Sequence, residues 1–305
     1  GRYQPVGFVD DSAALRGTRL QGLPILGRVG DVARIARETG VQLLVIAMPS
    51  LDAIAMRRVV GICEESGVPF RTVPRLSDVL DGRSLPGQLK EVAIEDLLGR
   101  QPLSPDWKAI RNWLGARSVL VTGAGGSIGS ELCRQCARHG AKRIALLEID
   151  ELALLTVEAD LRRDFPGIEC LPVLGDAGDP AVIARALAIA EPEAVFHAAA
   201  YKQVPLLQRQ LREAVRNNVL ATDVVARASR DAGVGTFVLI STDKAVDPVN
   251  VLGATKRLAE MLCQALVDPR STRFVTVRFG NVLDSAGSVV PLFRDQIRRG
   301  GPVTV

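Results

Sequence analysis

Histidine is scarce in this 305-residue chain: there are two, His139 and His197, and the five cysteines are scattered, odd in number and without zinc-ligand spacing. That leaves no basis for a metal centre or a disulfide framework, and a reducing, cytoplasmic compartment is expected. No stretch approaches the roughly 18 consecutive apolar residues of a membrane-spanning helix, and no signal peptide is visible. Membrane contact by this segment itself is therefore not expected. Charge of one sign is not in large excess either. The formal net charge is +4 and the arginines are spread along the chain, which argues against a nucleic-acid groove but suits an anionic small substrate. Internal repeats and low-complexity tracts are absent.

What is present is ordinary globular material, 47% apolar and 24% charged, in a length that suits about two domains. The organising stretch is Ser118–Glu131, SVLVTGAGGSIGSE. Ser118–Val121 reads as a buried strand, Gly123–Gly129 as a turn, and the residues after it as a helix. Gly123, Gly125, Gly126 and Gly129, with Ser127 and Ile128 between them, keep the backbone bare enough to approach a pyrophosphate. The helix N-terminus then supplies its amides. Arg143–Ile149 is the next strand, and Glu148 lies 19 positions beyond Gly129, near the spacing of roughly 20 for the acid that binds the adenosine ribose. Asp150 is the alternative for that role. A carboxylate there repels a 2′-phosphate, so NAD is expected rather than NADP.

Other elements follow in order. Residues 1–100 alternate strand and helix (Val6–Val9, Val32–Thr39, Val41–Met48, Asp52–Ser66, Pro69–Val73) and read as a small parallel α/β domain. It lacks a glycine-rich fingerprint, so packing or regulation is favoured over cofactor binding. Arg75–Gly87 is rich in proline, glycine and charge, and Gly99–Asp106 is the expected domain boundary. Downstream of the glycine turn, Cys133-x-x-Cys136 reads as packing rather than redox chemistry. Asp176, just past the strand Leu171–Leu174, is a candidate acceptor for the adenine amino group or a helix cap. Asp179–Ile189 and Leu211–Ala228 are helices. The strand Ala194–His197 runs into Ala198, Ala199 and Ala200, small enough for a ligand to come close, and His197 reads as a hydrogen-bonded structural residue. The strand Thr236–Ile240 delivers Ser241, Thr242, Asp243 and Lys244 at its carboxyl end, where open α/β sheets place their ligands. Those groups suit proton transfer, and equally a turn held by a salt bridge. A helix opened by Gly253-Ala-Thr-Lys256 and a strand Arg273–Phe279 complete the pattern.

Taken together, Thr122–Gly129, His197–Ala200, Ser241–Lys244, Gly253–Lys256 and Arg278–Val282 resemble the extended short-chain dehydrogenase/reductase group. Within it they resemble the bacterial polysaccharide-biosynthesis nucleotide-sugar dehydratases, over essentially all of 107–305. Residues 1–100, ending in Ile94–Gly99, are similar to the extra domain of the long members. The resemblance implies a Rossmann-type doubly wound parallel sheet, bound NAD and a UDP-sugar substrate, UDP-N-acetylglucosamine or a relative. It also implies a homo-oligomer anchored in the inner membrane by helices upstream. The chain starts without methionine and stops on Pro302-Val-Thr-Val305, so both ends are expected to be cut, with a C-terminal substrate region missing.

By the same resemblance, Lys244 is the base at C5 of the sugar and Asp243 the acid at the C6 hydroxyl. Thr242 holds the C4 hydroxyl, and Lys256 binds the nicotinamide ribose. Lys202, Asn281 and Val282 are implied substrate contacts. Three positions depart from the group's pattern. Leu252 stands where relatives with a tyrosine-x-x-x-lysine motif have the tyrosine that deprotonates C4–OH, which leaves Asp243, directly or through Thr242, as the candidate. Gln203 replaces a histidine. Asp284 replaces a glycine and puts negative charge where phosphates approach. A 4-epimerase and a non-catalytic nucleotide-sugar-binding module are the alternative readings.

Overall fold

In the computed structural model the chain divides into two compact units, Gly1–Pro105 and Asp106–Val305. The structure describes residues 3–49, 51–74, 89, 105–268, 270–282, 285 and 288–304. Arg75–Gly87, Ile94–Gly99 and Asp284 lie outside the described residues, as does most of Gly99–Asp106.

In the first unit, β1 (Phe8–Val9) pairs in parallel with β3 (Leu23–Gly27). A strand not anticipated from the sequence, β2 (Arg19–Leu20), joins β3 antiparallel. Its turn is Gln21-Gly22, both at positive φ (50° and 83°), the twist that a two-residue hairpin requires. Helix α1 (Val32–Thr39) follows. β4 (Leu44–Ile46) pairs in parallel with β5 (Phe70–Thr72) across helix α2 (Ala53–Glu65), which Asp52 caps by accepting from the Ala55 amide. The apolar run Val41–Met48 is thus a shorter and less buried strand than its composition suggests. Ile46 packs with Met56, Val59 and Val60, whereas Val45 faces outward. A two-stranded sheet covered by one helix has only one face to bury.

The second unit opens with α3 (Trp107–Leu114). There follow β6 (Ser118–Thr122), α4 (Ser127–Arg138), β7 (Arg143–Glu148), α5 (Glu151–Asp164), β8 (Glu169–Leu174), α6 (Pro180–Ala190) and β9 (Ala194–His197). Next come the short helices α7 (Val204–Leu207) and α8 (Leu211–Val215), a π-turn at Arg216–Leu220, and α9 (Ala221–Asp231). β10 (Thr236–Thr242), a 3₁₀ turn at Asp243–Ala245, α10 (Val251–Ala265), β11 (Arg273–Phe279) and α11 (Val289–Arg298) end the unit. All six strands are parallel, in the order β11-β10-β9-β6-β7-β8. This is a doubly wound Rossmann-type sheet, with its switch point between β6 and β9.

Strands buried on both faces need apolar residues at every position, which is why β6 carries Val119, Leu120 and Val121 in a row, all fully buried. Leu120 joins Leu147, Val195, Phe237 and Leu239 against Ile183, Val225 and Ala259 on one face. Val119 and Val121 join Ile144 and Leu146 against Cys133, Cys136 and Leu161 on the other. Burial raises both thiols of that pair, Cys136 to about 12, so they pack as small apolar groups. The helix expected over Leu211–Ala228 is interrupted by the π-turn, which seats Asn217 and Asn218 at the carboxyl edge of the sheet.

Phe237 is fully buried and its ring lies 5.3 Å from that of Phe274. Phe237→Ala is expected to cost about 3–5 kcal/mol, read as a lowered urea midpoint with little change in the slope of the transition.

Candidate active site

Three glycines shape the turn after β6 by steric necessity. Gly123 has a φ of +66°, and a Cβ there would lie 2.7 Å from Cα of Ala199. At Gly125 a Cβ would lie 2.4 Å from that of Ala153, and at Gly129 it would lie 1.9 Å from the Gly123 carbonyl oxygen. α4 starts at Ser127 behind Gly126, and the amides of Ile128 and Gly129 have no intrahelical acceptor. A pyrophosphate there would receive those N–H groups at the positive end of the helix dipole. Beside the turn lies a cleft of about 300 Å³. Gly123, Gly125, Gly126, Glu148, Asp150, Asp176, Ala198, Ala199 and Ala200, all anticipated from the sequence, line it. Tyr201 and Asn217, which were not, line it too.

The three acids of the cleft differ in their duties. Glu148 is buried and accepts from the Gly125 amide at 2.9 Å through Oε2, and from the amides of Ile149 and Asp150 through Oε1. It therefore ties β7 to the glycine turn, and Oε2, which accepts one bond against the two of Oε1, keeps a lone pair for a hydroxyl. Asp150 caps α5, accepting from Ala153 N at 2.8 Å. Asp176 accepts from Gly178 N, while the cap of α6 is Asp179. The cap alternative for Asp176 is thereby removed.

The switch point is held by one buried chain of hydrogen bonds. The Thr222 hydroxyl donates to the Asn218 carbonyl oxygen at 2.9 Å and so accepts from His197 Nε2–H, also at 2.9 Å. His197 Nδ1 then accepts from the Thr122 hydroxyl at 2.7 Å, and Thr122 Oγ1 accepts from the Ala199 amide. The chain closes only with a neutral ring protonated on Nε2. Complete burial, then the Lys256 charge, push the imidazole down to about 3. His197 is structural. Asn218, fully buried, donates to the Tyr201 carbonyl and to Thr255 Oγ1, joining the alanine loop to α10.

The reacting groups gather at the tips of β10 and β11. Thr242 Oγ1 donates to Asp243 Oδ1 at 2.9 Å, and Lys244 Nζ donates to the same oxygen at 3.1 Å and to Asn281 Oδ1 at 3.0 Å. The hydrogen bond from Lys244, then that from Thr242, lowers the Asp243 carboxyl below the ordinary carboxylate range. The protein alone does not bury this pair: the side chains of Lys244 and Asp243 are 32% and 56% exposed. Gly253 opens α10 directly against the Lys244 turn, where a Cβ would meet the Lys244 carbonyl oxygen at 2.2 Å. Lys256 on the next turn is nearly fully buried, and burial pushes its ammonium down to about 8. Leu252 packs with Leu207 and Ala214 and offers no proton. Lys202 and Val282 are exposed beside Tyr201 and Asn281, and no described contact draws them into the cleft. Among the described residues no cluster of histidine, cysteine and carboxylates could hold a metal.

One residue of this end was missed in the sequence. Glu260 is buried on α10 and accepts from Ser241 Oγ at 2.7 Å, from Arg278 Nε at 2.8 Å and from Arg257 Nη1 at 3.0 Å. Its only sequence signal is its place one turn after Lys256.

Two outcomes follow. Gly253→Ala should displace the Asp243–Ala245 turn, seen as changed amide shifts at those residues, and destabilise by about 1–3 kcal/mol. Because Lys256 titrates near 8 when folded and near 10.5 when unfolded, the unfolded chain holds the extra proton between those values. Its contribution to stability therefore rises from about pH 8 to about pH 10.5. Urea unfolding of Lys256→Met across that window should lack this rise, so wild type gains stability relative to the variant as pH increases.

Residues 119–305 match the polysaccharide biosynthesis protein family, and residues 1–74 match a CoA-binding domain. The chain is 43% identical over its whole length to the capsular polysaccharide biosynthesis protein CapD of Staphylococcus aureus, of which it covers 51%. It is 42% identical over 99% of its length to the probable polysaccharide biosynthesis protein EpsC of Bacillus subtilis, of which it covers 50%. The chain thus spans about half the length of these relatives. Its fold is similar to that of Pen from Bacillus thuringiensis, with a TM-score of 0.59 and 31% identity over 63% of this chain and 60% of that one. The family match alone covers more than half of the sequence and bears out the motif-based resemblance: the chain belongs to the polysaccharide biosynthesis protein family.

Proposed function

We propose that residues 107–305 are the NAD-binding part of a nucleotide-sugar 4,6-dehydratase acting on UDP-N-acetylglucosamine or a related UDP-sugar in bacterial glycan assembly. The observation that carries the reading is the contiguous Thr242–Asp243–Lys244–Asn281 array at the carboxyl edge of a Rossmann-type sheet. The bare glycine cradle and the buried Lys256 of α10 fit a dinucleotide. NAD, when bound, supplies the acceptor for hydride from sugar C4 and its return to C6.

Each residue then has a defined task. Gly123, Gly125, Gly126 and the first turn of α4 hold the pyrophosphate, and Glu148 or Asp150 the adenosine ribose. Asp176, whose Oδ2 also faces the Arg216 guanidinium at 3.8 Å, is assigned to the adenine amino group. Lys256 holds the nicotinamide ribose. Thr242 takes the C4 hydroxyl proton and passes it along its hydrogen bond to Asp243, replacing the route that a tyrosine at position 252 would supply. Asp243 then delivers that proton to the C6 hydroxyl, which leaves as water. Lys244, in its amine form, removes the C5 proton made acidic by the C4 ketone and, after exchange of its ammonium with solvent, delivers a proton back to C5. Closure of substrate over the exposed pair would strip its water and favour the uncharged forms that these steps use. Asn281 holds Lys244 in place and, with Lys202 and Val282, meets the substrate. A 4-epimerase would leave the Asp243–Lys244 pair without a task at C5 and C6. Anchoring by an upstream segment and homo-oligomerisation belong to the same proposal, and the first unit is assigned to packing or regulation.

Incubation with UDP-N-acetylglucosamine and NAD in D₂O should give a product lacking one water and carrying deuterium, detected by mass spectrometry. Asp243→Asn and Lys244→Ala should each lower turnover on the order of 10²–10⁴-fold while NAD stays bound. Full turnover in either variant removes its assigned role, and an isomerised product of unchanged mass overturns the dehydratase reading.

A further inference from the structure

We propose that Glu260 is a positioning residue: one buried carboxylate that sets the placement of the β10 tip, the β11 tip and Lys256 relative to one another. The proposal rests on the reading of Thr242–Lys244 and Lys256 as the reacting end, and it adds a residue to which neither the motifs nor the family resemblance assigns a role.

The geometry is that of a clamp. The Glu260 side chain is 1% exposed. Its two oxygens accept hydrogen bonds from three elements: Ser241 of β10, Arg278 of β11 and Arg257 of α10 itself. Arg278 donates through both Nε and Nη2, one to each carboxylate oxygen, the bidentate fork that fixes direction as well as distance. Ser241 and Arg278 are register partners across the sheet. The carboxylate therefore grips the last ladder pair but one, immediately before the chain turns into Thr242-Asp243-Lys244 on one strand and Phe279-Gly280-Asn281 on the other. The tips must keep their spacing because Lys244 Nζ bridges from Asp243 to Asn281. Gly280 leaves room for this: a Cβ there would lie 3.3 Å from Asp243 Oδ2.

The same carboxylate carries charge. A buried anion is costly unless paired, and here the hydrogen bonds from Arg278, Ser241 and Arg257 outweigh burial and hold the group down to about 2. Lys256 lies one helical turn before it, and Glu260 favours the ammonium against the cost of burial. Lys256 is also sensed by His197 of β9, which is neutral, and interacts with Cys263 on its own helix. Asp223 of α9 reaches only as far as Cys263, and Arg278 and Arg257 are spent on the clamp. Of the two groups that favour the Lys256 ammonium, Cys263 is a buried thiol pushed up to about 12, and Glu260 is the carboxylate.

The test uses the chain as it is, with no need for turnover. It has six lysines, so ¹³Cε-lysine labelling resolves Lys256 by NMR, and amide spectra report on Thr242–Lys244. In Glu260→Gln the Lys256 titration should shift downward, with the Thr242–Lys244 and Asn281 amides displaced. Glu260→Asp keeps the charge and should restore the Lys256 titration in large part while the amides stay displaced. Ser241→Ala removes one hydrogen bond and no charge, so it should move the amides and leave Lys256 unchanged. If Glu260→Gln fails to fold, these two variants decide. Lys256 titrating as in wild type in folded Glu260→Gln, or tip amides that do not move in any variant, overturns the proposal. Where wild type dehydrates UDP-N-acetylglucosamine, Glu260→Gln should lower kcat at least about tenfold with KM nearly unchanged. Where wild type shows no turnover, the kcat arm falls away and the NMR outcome alone decides the role of Glu260.

Discussion

The cleft depends on one buried hydrogen-bond chain, from the Ala199 amide through Thr122, His197 and Thr222 to the Asn218 carbonyl. It spans the switch point, where β6 and β9 lie side by side and their following segments leave toward opposite faces of the sheet. Thr122 and His197 are register partners there. Because every donor and acceptor in the chain is used, the ring is neutral and the groove between the strands has a fixed width. The close approach of Gly123 to Ala199 presses the glycine turn against the alanine loop from above. The cleft is a consequence of those two contacts.

Two carboxylates near the far end of the sheet show how environment assigns a task. Glu260 and Asp243 are both paired with cations, yet one is sealed beneath the strand tips and the other stands in the open. Burial with saturated hydrogen bonds makes Glu260 a permanent anion, useful for holding other groups in place. Exposure beside Lys244 and Thr242 leaves Asp243 in contact with one hydroxyl donor and one ammonium donor, so its proton inventory can change when solvent is displaced. Lys256 is intermediate: nearly fully buried, with its charge favoured by Glu260 and opposed by burial.

Much of this architecture was legible because its causes are local. The apolar run Val119–Val121, the glycines and the acids Glu148 and Asp150 follow one another along the chain with spacings dictated by a strand, a turn and a helix. The cap Asp179 was less legible. Asp179 was read as the first helical residue, whereas Asp176, three residues earlier, drew the cap as one of its two readings. The hairpin of β2 and β3 was missed because Gln21-Gly22 is a weak turn signal. The strand Leu44–Ile46 looked fully buried because composition reports how apolar a run is and not how many layers will cover it. The π-turn was missed because a single extra residue in a helical turn leaves the apolar periodicity nearly intact.

The sequence by itself determined the parallel α/β order, the position of the phosphate cradle and the identity of the groups at the end of β10. Each is written in residues adjacent in the chain, and backbone sterics force the result. The tertiary structure decided the pairings across long separations. Asn281 was brought to Lys244, Asn218 to Tyr201 and Thr255, and Arg278 with Ser241 to Glu260. Those contacts join β10, β11, α10 and the π-turn, and their geometry follows from strand register and helix packing. A buried carboxylate has no signature of its own in a helical run of residues, because the cations that make its burial tolerable lie on other elements.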